Sequence, residues 1–296
     1  RVNKHKADWR GWKFMWPFAV VFVFVFIVPI VYAIYISFFK KQMIGGTKFV
    51  GFENYVRLLG DGQFWSSDGR VALFTCVQVP IMLCLSALMA LALDSMKLHG
   101  TKFFRISTFL PYAVPAVVST LIWGFVYGAK YGLVGSLNDF LGTDIDVLAP
   151  SVLLASIGNI VTWEFTGYNM LTFYSSLSTI PHSLYEAASI DGATKGRQFL
   201  SITIPLISPV IFYNLVTQLV QAFQEFNGPY IITNGGPRNA TTLISVIVYN
   251  TAFKDYKVGM SSAMAWVMFV IVMILTIIAF VSQKKWVYYS DDDGRG

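Results

Sequence analysis

Charged residues are scarce in this chain of 296 residues. Asp, Glu, Lys and Arg make up 13% of the sequence, whereas hydrophobic residues make up 55% and aromatic residues 16%. A soluble domain carries about 25% charged residues, so this composition excludes an ordinary soluble globular protein. The formal net charge is +6, and the basic residues are spread over short segments without a basic run that contains aromatic residues. This distribution favours contact with a membrane surface and argues against nucleic-acid binding.

The sequence also lacks the motifs of hydrolases, metal enzymes and nucleotide-binding proteins. Its two cysteines, Cys76 and Cys84, lie in one apolar run with a spacing that fits neither a metal site nor a disulfide framework. His5, His99 and His182 are far apart, and neither H-E-x-x-H nor G-x-S-x-G occurs. A G-x-x-x-x-G-K-[ST] phosphate-binding loop is absent as well. We therefore expect no cofactor or metal in this chain, and any ATP that drives it must be bound by another polypeptide.

Long apolar runs are the main feature that is present. A helix of about 20 apolar residues crosses the hydrocarbon of a bilayer. The runs predict an all-α integral membrane protein with six transmembrane helices, at about 14–39, 71–96, 104–127, 150–175, 206–232 and 260–282. The first run is too long for the core of a signal peptide and has no small-residue cleavage site. Pro29 predicts a kink in this run, and Pro111 and Pro115 predict a broken or kinked start of the third helix.

Two polar segments are predicted on the outer side of the membrane. Residues 40–70 combine aromatic residues with turn-forming glycines, and Tyr and Trp are favoured near lipid headgroups, which predicts a folded external loop. An aromatic belt without a partner is the alternative. Residues 128–149 contain four glycines and are expected to form a second external segment. Lys and Arg are slightly more frequent on the side of residues 1–13 and 283–296, which predicts that both termini are cytoplasmic.

A polar island, here called the 181–205 loop, separates the fourth and fifth predicted helices. Ser183 is followed three residues later by Glu186, and this spacing matches a capping box in which each residue satisfies an amide at the helix start. It predicts a helix that begins at Leu184. The small side chains that follow Glu186 would let this helix fit closely against a partner.

The rest of the 181–205 loop predicts a turn and a second helix. Gly192 can adopt the left-handed conformation that ends a short helix. A second short helix is predicted from about residue 195 to 203, and Pro205 marks the start of the next element. The loop is therefore predicted to be a helix-turn-helix outside the bilayer.

The spacing in this loop resembles a known family pattern. E-A-A is followed by three residues, G, nine residues, I, two residues and P, in the residues Glu186, Ala187, Ala188, Gly192, Ile202 and Pro205. This pattern resembles the EAA loop of ABC importer permeases. Asp191 and Ala193, which flank the glycine, resemble the variant found in permeases of carbohydrate importers of the maltose and glycerol-phosphate type. The run from Thr233 to Pro237 is similar to the T-N-G-G-P turn of the same permeases.

The resemblance implies a type I ABC importer permease bundle in the bacterial cytoplasmic (inner) membrane. It implies a transmembrane permease domain over residues 14–282, between cytoplasmic segments 1–13 and 283–296. The 181–205 loop would be the coupling helix that docks into a cytoplasmic ATPase. The implied partners are a second homologous permease, two ATPase subunits that bind ATP and Mg²⁺, an external solute-binding protein and membrane lipid, but no nucleic acid. The implied coupling residues are Glu186, Ala187, Ala188, Asp191, Gly192, Ala193, Ile202 and Pro205.

Polar residues inside the fourth and fifth predicted helices are candidates for the substrate pathway, because polar side chains at that depth should face the bundle interior or a wet cavity. The candidates on the fourth helix are Trp163, Glu164, Tyr168 and Asn169. The fifth helix has a stripe at helical spacing that consists of Asn214, Gln218, Gln221 and Glu225. The resemblance adds positions near the end of this helix, namely Gln224, Asn227 and Gly228. These amides and Glu225 would bind sugar hydroxyls, with Trp163 or Tyr168 as an aromatic face; a purely structural network between helices is the alternative.

Three classes of function compete at this point. The first is a permease subunit of an ATP-driven sugar importer, which accounts for the 181–205 loop. The second is a carrier driven by an ion gradient, in which Glu164 and Glu225 would be the ionisable groups at mid-membrane. The third, a membrane-embedded enzyme, lacks a candidate nucleophile or a pair of acids. We therefore expect a transporter subunit that is not itself an enzyme.

Overall fold

The computed structural model describes residues 11–41, 46–94, 100–233 and 242–289. Within these ranges the regular secondary structure is helical, apart from one short β-hairpin. It divides into two compact units, the first comprising Arg1–Gly62 with Val248–Phe269 and the second comprising Gln63–Ile247 with Val270–Gly296.

The first unit begins with a long apolar helical stretch. Helix α1 (Trp12–Phe22) continues through a π-helical turn (Val23–Ile27) into α2 (Val28–Ser37). The 24 residues Phe14–Ser37 are apolar enough to cross a membrane, in agreement with the predicted span. Pro29 lies in the first turn of α2, where its missing amide is tolerated. The irregularity expected at this proline thus takes the form of a π-helical turn directly before it.

The segment after α2 is a folded loop, as predicted, but it is shorter than predicted. Strand β1 (Phe39–Lys41) pairs antiparallel with β2 (Thr47–Phe49), and helix α3 (Glu53–Leu59) follows. The Asn54 side chain donates hydrogen bonds to the carbonyl oxygens of Ser37 at 2.7 Å and Phe39 at 3.0 Å. This side chain therefore ties α3 to the end of α2. The hairpin is a small departure from the all-α prediction.

The second unit contains the remaining helices of the bundle. They are α4 (Gly62–Asp94), α5 (Thr101–Ala113), α6 (Ala116–Val126), α7 (Leu133–Leu141), α8 (Leu153–Leu177), α9 (His182–Ile190), α10 (Lys195–Gln198) and α11 (Ile204–Phe223). Two further helices, α12 (Ile244–Tyr249) and α13 (Val258–Gln283), each have residues in both units. Helix α4 begins earlier than the predicted residue 71, because Phe64, Ser67 and Val71 recur at helical spacing and are fully buried. Helix α7 lies within the segment 128–149, which had been predicted only as an external connection.

The third predicted span is broken into two helices. Helices α5 and α6 meet at an angle of 98°. The break follows from Pro115, since a proline disfavours the helical conformation of the residue before it, and Val114 is extended with ψ of 131°. The predicted break is thus confirmed at Pro115, whereas Pro111 remains inside α5.

Helix α8 forms the centre of the second unit. Its buried residues Met170 and Phe173 pack in one cluster with Met82 of α4 and Ile207 of α11. Helix α5 lies directly against α8 at Gly167, where an added β-carbon would overlap the backbone of Thr108. Backbone-to-backbone contact of this kind requires a residue without a side chain.

Within the described ranges, four helices are long and apolar enough to cross a membrane, and the bent pair of α5 and α6 gives a fifth candidate. The four are Phe14–Ser37, Gly62–Asp94, Lys195–Ile232 and Val258–Gln283. Helix α8 has 25 residues, which is long enough, but it does not meet the same criterion of apolar composition. Each of the six predicted spans therefore overlaps a helix, while length and composition identify four or five crossings.

Candidate functional site

The 181–205 loop has the predicted turn between two helices. Gly192 follows α9 with φ of +77°, in the left-handed region. The amide of Ala193 donates to the Ala188 carbonyl oxygen at 2.9 Å and closes the end of α9. The left-handed turn predicted at Gly192 is therefore confirmed.

The capping box predicted at the start of this loop is wrong. Helix α9 begins at His182, and its N-cap is Pro181, which makes no side-chain cap hydrogen bond. Pro181 is extended, with ψ of 128°, and the amide of Leu184 donates to its carbonyl oxygen at 3.2 Å. Because the helix begins before Ser183, this serine lies in the first turn and cannot occupy the cap position. Glu186 is therefore not at the position of a capping box, and its side chain is exposed.

The second helix of the loop also differs from its predicted form. Helix α10 continues through a π-helical turn, Phe199–Thr203, directly into α11. Pro205 lies in the first turn of α11 and does not separate two elements. A proline there lacks an amide for the preceding turn, and a π-helical turn accommodates that loss. The second half of the loop is therefore rigidly joined to a long helix of the bundle.

Four polar residues that sequence reasoning missed hold the two helices of the loop together. Gln198, with only 3% of its surface exposed, donates to the Ser189 Oγ at 2.8 Å and to the Ala193 carbonyl oxygen at 3.2 Å. The hydroxyl groups of Tyr185 and Thr203 share a hydrogen bond of 2.9 Å. A glutamine in a polar segment gives no sequence signal of burial, so these contacts were not predictable.

The predicted coupling residues fall into two groups. Glu186, Ala187, Asp191 and Gly192 are exposed, whereas Ala188, Ala193, Ile202 and Pro205 are partly buried. Ile202 packs against the hydrophobic cluster around α8. Large apolar side chains near the first group are also exposed, namely Leu184 at 43% and Ile190 at 86%. The loop thus presents a mixed acidic and apolar surface on a rigid support.

Substitution of Gln198 by leucine is expected to loosen this support. The change removes both donated hydrogen bonds, which are partly buried and contribute about 0.5–1.5 kcal/mol each. Amide hydrogen exchange of residues 182–198 should become faster while the rest of the chain is unchanged. Gln283→Leu, which removes only the hydrogen bond donated by the Tyr289 hydroxyl at the end of α13, is the control. Unchanged exchange in the Gln198→Leu protein would show that the loop is held by other contacts.

A polar cavity of about 310 Å³ lies within the second unit. Its wall is formed by Gln78, Ala116, Thr120, Ile157, Ile160, Val161, Glu164, Phe165, Gln218, Gln221, Ala222, Gln224, Glu225, Asn227 and Gly228. Helices α4, α6, α8 and α11 all contribute to this wall. The structure therefore brings Glu164 together with six of the candidates at the end of the fifth predicted span.

The backbone is irregular where it borders the polar cavity. Helix α11 ends at Phe223, earlier than the predicted residue 232, and helical structure resumes only as the π-helical turn Gly228–Ile232. Glu225 lies in this break, and its Oε1 accepts a hydrogen bond from the Gly228 amide at 3.1 Å. Irregular backbone at membrane depth is tolerated where it lines a cavity, and such breaks expose polar groups for binding.

The predicted stripe on the fifth helix divides into two parts. Asn214 and Gln218 are buried and hydrogen-bond to α8: the Asn214 Nδ2 donates to the Thr172 Oγ1 at 2.8 Å, and the Gln218 Nε2 donates to the Asn169 Oδ1 at 3.2 Å. Gln218 also lines the polar cavity. The lower part of the stripe is thus an interhelical network, and the upper part borders the cavity.

Substitution of Asn214 by leucine is expected to lower stability without changing substrate selection. The change removes the hydrogen bond that Asn214 donates to Thr172, whereas the Thr172 hydroxyl keeps the bond that it donates to the Asn169 carbonyl oxygen, so the free energy of unfolding should fall by about 0.5–1.5 kcal/mol. Gln221→Ala, on the cavity wall and only partly buried, should show the opposite behaviour. Thermal unfolding and transport competition assays on both variants make the comparison. Altered substrate selection in a fully stable Asn214→Leu protein would contradict this division of the stripe.

The two aromatic candidates lie away from the polar cavity. Trp163 makes an edge contact with the Trp123 ring, with centroids 5.7 Å apart. Tyr168 stacks on Tyr112 at 4.9 Å, and its hydroxyl group lies 3.2 Å from that of Tyr213. In the part of the chain that the structure describes, neither candidate contributes to the cavity wall. The predicted turn from Asn234 to Pro237 lies outside the described residues.

Comparison with known proteins identifies relatives over nearly the whole chain. It is 33% identical over 295 residues to the "Probable ABC transporter permease protein YesP" of Bacillus subtilis (strain 168), with 97% of this chain and 94% of that protein covered. It is 32% identical over 285 residues to the "Trehalose/maltose transport system permease protein MalF" of Thermococcus litoralis, with 93% and 94% covered.

The fold is shared with a solved structure of a bacterial ABC transporter involved in the import of the acidic polysaccharide alginate. The TM-score is 0.82 at 20% identity, over 94% of this chain and 96% of that chain. Residues 82–286 match the family model described as "Binding-protein-dependent transport system inner membrane component". The 181–205 loop, the broken helix at the polar cavity and this match lead to one conclusion: the chain belongs to the binding-protein-dependent transport system inner membrane components.

Proposed function

We propose that this chain is the permease subunit of an ATP-driven ABC importer for a sugar or oligosaccharide and forms half of the translocation pathway. The observation that carries the proposal is the 181–205 loop, which presents exposed Glu186 and Ala187 on a support that is continuous with α11. The name of the trehalose/maltose relative supports a sugar as substrate. A carrier driven by an ion gradient is not supported, because the family belongs to binding-protein-dependent systems.

The proposal includes the partners that such a system needs. A second homologous permease completes the pathway, two ATPase subunits bind ATP and Mg²⁺, and an external solute-binding protein delivers the substrate. In this arrangement six helical spans cross the bacterial inner membrane, with both termini and the 181–205 loop on the cytoplasmic side. Leu184 and Ile190 are exposed on the same helix as Glu186, and such apolar side chains suit a protein contact where they form a continuous surface.

The coupling mechanism follows from the rigidity of the loop. The Gln198 and Tyr185 hydrogen bonds prevent α9 from moving independently of α10, and α10 continues into α11. Closure of the ATPases would therefore move α11 together with the loop and rock the bundle between inward-open and outward-open states. Glu225 and the cavity amides lie at the far end of α11, where that movement would change access to the substrate.

Disulfide cross-linking tests the docking surface directly. Cys76 and Cys84 are first replaced by alanine, and a single cysteine is placed at Ala187 in the assembled transporter. Ala187→Cys should cross-link to an ATPase subunit that carries cysteines in its membrane-facing cleft. Asp139→Cys, on exposed α7, is the control and should give no such product. A cross-link from Asp139→Cys but none from Ala187→Cys would refute the proposed docking surface.

A further inference from the structure

The polar cavity is rich in hydrogen-bonding groups, and no basic side chain lines it among the residues that the structure describes. Its wall contains two carboxyl groups, from Glu164 and Glu225, and none of its lining residues is Lys, Arg or His. Glu164 comes from the middle of α8, whereas Glu225 comes from the break after α11. The two carboxyl groups therefore approach the same space from different elements.

Besides the Thr120 hydroxyl group, the other polar side chains of the wall are amides. They belong to Gln78, Gln218, Gln221, Gln224 and Asn227. An amide offers both donors and an acceptor, which matches a sugar hydroxyl, itself a donor and an acceptor. Part of this capacity is already used, because the Gln78 Nε2 donates to the Thr162 Oγ1 at 3.3 Å. Gln221 and Gln224 remain partly or fully exposed at the cavity.

Glu225 is held in a fixed position at the cavity wall. Its Oε1 accepts the Gly228 amide, and the Ser245 hydroxyl donates to its main-chain carbonyl oxygen. A β-carbon at Gly228 would lie 3.0 Å from Ile157 and 3.4 Å from this carboxyl oxygen. The carboxyl group can therefore not turn away from an incoming anion without losing the hydrogen bond from the Gly228 amide.

On the basis of the proposed function, we infer that the polar cavity takes an uncharged sugar unit and rejects one that carries a carboxylate, sulfonate or phosphate group. An anion would give up its hydration without meeting a positive charge, which is costly at a partly desolvated site. If Glu164 or Glu225 is charged, its carboxylate also repels the anion. If it is protonated, it offers the anion only a hydrogen bond. The discrimination should amount to at least about tenfold in affinity.

The test uses the complete transporter in nanodiscs without its solute-binding protein, so that the binding protein cannot filter the sugars. The probes are maltose, trehalose and lactose, each paired with its counterpart oxidised to a carboxylate at C6. Saturation-transfer NMR measures binding without nucleotide and with ATP plus vanadate. The wild-type transporter should bind at least one neutral sugar, and the corresponding uronate should bind at least about tenfold more weakly.

Charge-neutralising variants show whether the two carboxyl groups cause the discrimination. Glu164→Gln and Glu225→Gln should each reduce the preference for the neutral sugar, and Glu164→Lys should reduce it further. Asp139→Asn on α7 is the matched control and should leave the preference unchanged. Equal binding of both sugars by the wild type, or an unchanged preference in both Gln variants, would overturn the inference. If no sugar gives a binding signal that becomes weaker in the Gln221→Ala transporter, the proposed sugar pathway is overturned instead.

Discussion

Replacement of Glu186 by alanine is expected to lower sugar uptake at least about tenfold while the fold and stability of the chain stay unchanged. Glu186 is exposed on α9 and does not cap this helix, so its removal costs no internal hydrogen bond. In the proposed complex its carboxylate meets a basic group of the ATPase. Loss of one partner of such a charge pair at an interface typically costs about 2–5 kcal/mol, more than a factor of ten.

Uptake and substrate-stimulated ATP hydrolysis should fall together in the Glu186→Ala transporter, measured on protein of equal yield and thermal stability. Ser183→Ala is the matched control on the same helix, and it should behave like the wild type because Ser183 is not the cap. Normal uptake by a well-folded Glu186→Ala transporter would contradict the docking role. A loss of stability in the Ser183→Ala protein would instead indicate that Ser183 caps the helix, contrary to the structure.

Replacement of Gly167 by alanine is expected to separate α5 from α8 and to lower the free energy of unfolding by about 1–3 kcal/mol. An added β-carbon would overlap the Thr108 carbonyl group and the Phe109 Cα. Because these are backbone atoms, no side-chain rotation can relieve the overlap, and the helices themselves must move apart. The effect should reach transport, since α5 leads through the break at Pro115 into α6, which contributes to the polar cavity.

The measurement for Gly167→Ala is the thermal-unfolding midpoint of the purified chain in one detergent, together with its yield in the membrane. Gly69→Ala is the matched control, because Gly69 is also a helical glycine but has no atom within 4 Å of a new β-carbon. This control should be as stable as the wild type or slightly more stable, since alanine favours helix. Equal midpoints for the two variants would show that the close approach of α5 to α8 is not required.

The sequence predicted those features that depend on local chemistry. Apolar runs of membrane length predicted the helices. The prolines in the third span predicted a break, which lies at Pro115. A glycine after a short helix predicted the left-handed turn at Gly192. The spacing from Glu186 to Pro205 led to the family. Each of these signals resides in residue type and spacing, without reference to distant parts of the chain.

The sequence did not predict features that depend on tertiary contacts. Ser183 and Glu186 have the spacing of a capping box, but the helix begins at His182 because Pro181 already fixes the extended entry. The stripe from Asn214 to Glu225 looked uniform, yet only packing against α8 shows which members are buried. Likewise, nothing local distinguishes Gln198, which holds the loop together, from an exposed glutamine. These differences arise from which neighbours each side chain meets.

ATP-dependent uptake by proteoliposomes tests the central proposal most directly. The transporter, containing this chain, its partner permease, the ATPase subunits and the solute-binding protein, is reconstituted and supplied with radiolabelled sugar and ATP on opposite sides. The proposal predicts uptake that requires ATP and the ATPase subunits, stops with vanadate and continues with a protonophore. Uptake that continues without the ATPase subunits, or that follows an imposed proton or sodium gradient and collapses with the protonophore, would contradict it.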